Sequence, residues 1–100
     1  MKNDFNQVVV AFNNSASKLF SILFQKFENS AASVDRRRNE NSFQQLQGKF
    51  IYTFKLQLEN IAQQLLEENL SLNDSGRLKQ KLTEAIRNYL DEFMRKAKSL

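Results

Sequence analysis

The chain has 100 residues, of which 41% are hydrophobic and 26% charged, and its formal net charge is +4. This composition is typical of one folded domain with a modest core. It contains no Cys and no His, so disulfides, thiol nucleophiles, the common zinc sites and the usual acid–base group near neutral pH are excluded. We therefore expect a protein that is not an enzyme and has no catalytic residues, no metal and no cofactor.

Residues that break helices are almost absent, because the chain has no Pro and only two Gly. The first amphipathic segment covers residues 4–28, and Asp4 with Gln7 has the spacing of a capping pair at its start. Ile22 and Phe24 lie on opposite borders of its apolar stripe and widen it, so this helix should contact at least two neighbours. The stripe consists of Phe5, Val8, Val9, Phe12, Ala16, Leu19, Phe20, Leu23 and Phe27.

A polar stretch without periodicity follows at residues 29–42 and is predicted to be a loop. It is longer than the usual connection between neighbouring helices, so the first helix can pack on its own chain or on a second one. Ser42 with Gln45 resembles a capping box at the start of a second helix, residues 43–69. One face of that helix carries Phe43, Leu46, Phe50, Ile51, Phe54, Leu58, Ile61, Ala62 and Leu65.

A turn is predicted at residues 70–76 and a third helix at 77–98. Ser71 with Asp74 is a competing cap, which would place Gly76 inside the helix. Asp91 and Arg95 have the spacing of an ion pair on the helix surface. The third stripe comprises Leu78, Leu82, Ala85, Ile86, Tyr89, Leu90, Phe93 and Ala97.

These patterns predict an all-α fold and a single domain, residues 1–100. The short second joint favours an antiparallel hairpin of the second and third helices, with the first helix packed across it. Eight of the nine Phe precede residue 55, so we expect aromatic packing between the first two helices. The over-wide first stripe favours completion of this three-helix bundle by dimerisation.

The strongest functional signal is apolar surface that the core does not require. Tyr52, Leu56, Leu66 and Leu70 lie near the side of the second helix opposite its stripe, and Ile22 and Phe24 form a second set. Single exposed apolar residues are ordinary, but paired ones at helical spacing favour docking or self-association. The sequence therefore predicts a protein–protein interaction module, of an adaptor, chaperone-like or regulatory kind, whose partner is a second copy or another protein.

Three consecutive arginines, Arg36, Arg37 and Arg38, give the alternative prediction. They would steer an acidic partner, or bind nucleic acid together with the basic residues of the third helix. Asp35 and Glu40 flank them and no aromatic residue lies in the loop to stack on bases, which favours a simple solvated loop over nucleic-acid binding.

A membrane is not an expected partner. The longest wholly apolar run, Val8 to Phe12, is too short for a spanning helix or a signal-peptide core. Lys18 and Lys26 are the only cations near the apolar stretch of the first helix, too few for an in-plane anchor. The expected compartment is the cytoplasm.

Overall fold

The chain folds into three helices, as the scarcity of helix breakers predicts. The computed structural model describes residues 5–35, 38–69 and 75–99. Helix α1 covers Phe5–Ala31, α2 covers Glu40–Glu68 and α3 covers Ser75–Lys98, and no strand occurs within the described ranges. The all-α prediction is confirmed.

The joint between α1 and α2 is shorter than the predicted loop 29–42. Helix α1 continues to Ala31, where the amide of Ala32 still donates to the Glu28 carbonyl at 3.0 Å. Helix α2 already begins at Glu40, so the capping box at Ser42 is wrong: that residue lies within the helix. Without Pro or Gly in this stretch, nothing local stops either helix where its apolar stripe ends.

Asn69 ends α2 by occupying carbonyls that the helix leaves without partners. Its backbone amide donates to the Leu66 carbonyl at 3.2 Å, and its side-chain amide donates to the Leu65 carbonyl at 2.8 Å. The side chain is buried there, and these bonds satisfy the polar groups of the helix terminus.

The predicted turn after α2 is only partly described. Leu70 and the competing cap residues Ser71 and Asp74 lie outside the described residues. Helix α3 starts at Ser75, before the predicted residue 77, so Gly76 falls inside the helix. Asp4, the predicted cap of α1, also lies outside the described residues.

The helices alternate in direction and pack lengthwise. Ring contacts between Phe27 and Phe43 and between Phe20 and Phe54 make α1 and α2 antiparallel. Phe12 contacts Tyr89 and Phe24 contacts Phe93, so α1 runs parallel to α3. Each helix packs on the other two, and the resulting bundle measures 54 × 19 × 18 Å. Helix α1 therefore lies alongside the α2–α3 hairpin.

Aromatic side chains fill the half of the bundle near the α1–α2 joint. The predicted aromatic contact between the first two helices is present, but its centre is Phe93 of α3. Its ring centroid lies 5.2–6.0 Å from the rings of Phe20, Phe24, Phe27 and Phe54. The other half is mainly aliphatic and contains the buried residues Val8, Phe12, Ala16, Leu58, Ala62, Leu78 and Leu82.

A candidate interaction surface on the second helix

Two large apolar side chains stand on the outward face of α2. Tyr52 is 64% exposed and Leu56 is 44% exposed, whereas Phe54 and Leu58 on the same helix are fully buried. Each helix position is rotated by about 100° from the last, so residues two apart point in nearly opposite directions. Burial of Phe54 and Leu58 therefore directs Tyr52 and Leu56 outward. This pair agrees with the exposed surface expected from the sequence.

Polar residues continue this face in both directions with a regular spacing. The exposed side chains Gln45, Lys49, Tyr52, Leu56, Glu59 and Gln63 follow one another at alternating intervals of four and three residues. We call these six residues the outer strip of α2. Such a spacing is the pattern of a seam between two helices in a coiled coil.

The charges of the outer strip are arranged asymmetrically about its apolar centre. Lys49 precedes Tyr52 by three residues, and Glu59 follows Leu56 by three. Neither Lys49 nor Glu59 forms an ion pair within the described part of the chain. Gly48 lies beside Lys49 on the exposed side of the helix, and beyond its chain neighbours and the adjoining helix backbone no heavy atom lies within 4 Å of the position that a Cβ would take.

The other two residues predicted for this face do not extend it. Leu66 is half-buried against the core and lines a groove between α2 and α3 beside Leu82 and Ile86. Its neighbours one turn away on either side, Ala62 and Asn69, are both buried. Leu70 lies outside the described residues. The described outward pair is therefore Tyr52 and Leu56.

The two predicted residues of α1 have different surroundings. Ile22 is 54% exposed, whereas the half-buried ring of Phe24 stacks on Phe20 at 5.8 Å and meets Phe93 edge-on at 5.2 Å. Phe24 thus contributes to the aromatic half of the core. Sequence reasoning missed Val10, which is 56% exposed; its position, two residues from both Val8 and Phe12, was the available signal.

The predicted arginine cluster is described only at Arg38. Arg38 is exposed and lies 3.6 Å from the carboxylate of Asp35. Arg36 and Arg37 lie outside the described residues. Because α1 and α3 are parallel, the α1–α2 joint and the C-terminal turn of α3 lie at the same end of the bundle. That turn carries the basic residues Arg95, Lys96 and Lys98.

The predicted ion pair between Asp91 and Arg95 is wrong. Arg95 instead pairs with Glu92, with 2.6 Å between its Nη2 and the Glu92 Oε1. The hydrogen bond from Arg95 has the largest effect and lowers the pKa of Glu92; desolvation opposes it, and the weaker effects of the charges of Arg95 and Lys96 lower this pKa further. Lys96 also places its ammonium 5.3 Å from the centre of the Phe20 ring.

Buried polar groups and acidic clusters were the remaining candidates for a site among the described residues. No fully buried side-chain nitrogen or oxygen among them lacks a hydrogen-bond partner, and no group of acidic residues there has the arrangement of a metal site. The groove between α1 and α3, about 390 Å³, is open, and the hydroxyl of Tyr89 beside it is occupied by hydrogen bonding to Asn13. None of the described helices is long and apolar enough to cross a membrane.

Comparison with protein-family models, with curated proteins and with solved structures finds no match to this chain. The candidate site therefore depends on the geometry of the outer strip alone.

Proposed function

We propose that this protein is a non-enzymatic interaction module that binds protein partners through the outer strip of α2. The exposure of Tyr52 beside Leu56 supports this most directly. Tyr is enriched among the residues that dominate binding energy at interfaces, because a rigid ring offers a large contact area at low entropic cost. Covering this pair would remove apolar surface from water, which favours association.

The proposal is tested by site-specific photo-crosslinking in the cells that produce the protein. A benzophenone amino acid replaces Tyr52 in one variant and Val10 in the control, because Val10 is exposed to a similar extent but lies on α1. We expect discrete crosslinked proteins from position 52 and none of the same masses from position 10. Identical patterns at the two positions, or no product at position 52, would refute the proposed surface.

A second candidate is nucleic-acid binding at the basic end of the bundle. The parallel course of α1 and α3 supports it, because Arg38 and the cations in the last turn of α3 lie at the same end of the bundle. Binding of a phosphate backbone by such a patch releases counterions and weakens steeply with salt.

Fluorescence anisotropy with generic DNA and RNA oligonucleotides at low salt tests this candidate. Binding that a Lys96→Ala, Lys98→Ala double variant weakens, and that a Lys18→Ala variant on the side of α1 does not, would support it. No binding at low salt would exclude it.

A further inference from the structure

We propose that the partner of the outer strip is a second copy of the same chain, bound antiparallel about a two-fold axis at the level of Phe54. This inference builds on the proposed function, since it identifies the occupant of the same surface. It follows from the order of charges and apolar residues along the strip.

The strip is self-complementary when it is reversed. A two-fold axis at the level of Phe54 brings Tyr52 opposite Leu56 of the partner subunit, and Leu56 opposite the partner's Tyr52. The same operation brings Lys49 opposite Glu59 of the partner subunit. Alternating intervals of four and three residues keep these layers on one line along both helices, as knobs-into-holes packing requires.

A parallel arrangement of the same two helices is unfavourable. It would place Lys49 against the partner's Lys49 and Glu59 against the partner's Glu59, and like charges across an interface oppose association. Gly48 lies at the edge of the strip and has open space around it, so the second helix can approach closely there. The arrangement of charge therefore favours a second copy of the chain as the partner and an antiparallel orientation of the two α2 helices.

The length of the strip bounds the strength of the contact. From Gln45 to Gln63 the helix advances about 27 Å at ~1.5 Å per residue. One helix face of that length, with a small apolar centre, belongs with the small and weak interfaces. We expect a dissociation constant on the order of 10 μM to 1 mM.

Sedimentation equilibrium at low salt, with protein up to about 1 mM, tests the inference with charge-reversed variants. Lys49→Glu alone and Glu59→Lys alone each make both symmetry-related pairs repulsive. Each should weaken the dimer by about 5- to 20-fold. An equimolar mixture of these two variants should regain association, and so should the double variant. Lys18→Glu on α1 is the matched control and should leave association unchanged.

The mixture also controls for folding, because two variants that associate when combined are both intact. A chain that stays monomeric throughout this concentration range overturns the inference, and so does a dimer that neither reversal weakens. A dimer weakened by either single reversal and regained in the mixture but not in the double variant overturns the antiparallel register. If a monomeric chain still yields a crosslinked protein of another mass from position 52, the proposed function stands and only the second copy is refuted.

Discussion

Phe93 tests whether ring geometry stabilises this fold beyond simple burial. Phe93→Leu keeps an apolar side chain in place but removes the ring that Phe20, Phe24, Phe27 and Phe54 surround. Phe12→Leu is the matched control, because Phe12 is equally buried and its described ring neighbour is Tyr89 at 6.3 Å. The two variants therefore differ in aromatic surroundings rather than in burial.

The expected magnitudes follow from the two kinds of loss. Removing part of a buried ring and leaving a small cavity costs about 1–2 kcal/mol at either position. Edge-to-face and tilted ring pairs add about 0.5–1.5 kcal/mol each beyond burial, without full additivity. Phe12→Leu loses one ring pair and Phe93→Leu loses four, so we expect the free energy of unfolding to fall by about 2 kcal/mol and about 4 kcal/mol, respectively.

Urea unfolding followed by far-UV circular dichroism measures both values, at a protein concentration low enough to keep the chain monomeric. Total stabilities of domains of this size are about 5–15 kcal/mol, so both variants should remain folded in water. Equal losses at the two positions would refute the reasoning, because burial alone would then account for the stability of the aromatic half.

Three further predictions concern single side chains. Gly48→Ala should raise the free energy of unfolding by about 0.5–1 kcal/mol in the same urea assay, because the added methyl meets no atom and the flexible backbone of glycine is lost; a decrease would contradict the open space around this residue. Tyr89→Phe should lower the free energy of unfolding by about 0.5–1.5 kcal/mol, because its hydroxyl donates to Asn13; an unchanged urea midpoint would show that water replaces this bond without loss. In an NMR titration the pKa of Glu92 should lie below 4.5, and Arg95→Gln should raise it towards that value. Since folding lowers this pKa, the contribution of the pair to stability is present above pH 4.5 and disappears as the pH falls through the folded-state value; an unchanged pKa in the variant would argue against the hydrogen bond.

The number, order and inward faces of the helices followed from sequence because each stripe is long and periodic. The ends of the helices did not. Ser42 has the residue types of a capping box, yet α2 begins before it at Glu40, because capping preferences are weak compared with helix propagation through a stretch free of Pro and Gly. Several residues near a helix end can have capping preferences, and tertiary packing determines at which of them the helix begins or ends.

The candidate surface was predictable only in part. Tyr52 and Leu56 are outward as their spacing implies, but Leu66 turns inward because the buried positions near the end of α2 include Ala62 and Asn69 on either side of it. The buried side of α2 rotates gradually around the helix axis from one end to the other, and a helical wheel drawn at a fixed angle per residue does not reproduce this rotation. Phe24 was ambiguous for another reason: whether a border residue is covered depends on α3, whose Phe93 meets its ring.

The aromatic rings are distributed unevenly, so the two halves of the bundle should differ in their resistance to local unfolding. Backbone amides near Phe27, Phe50 and Phe93 should exchange with deuterium only through global opening, because large interlocked side chains surround them. Amides near the start of α1 and the start of α3, where smaller side chains meet, should exchange through local fraying. Local unfolding should therefore begin at the end of the bundle that carries the starts of α1 and α3, rather than at the aromatic end.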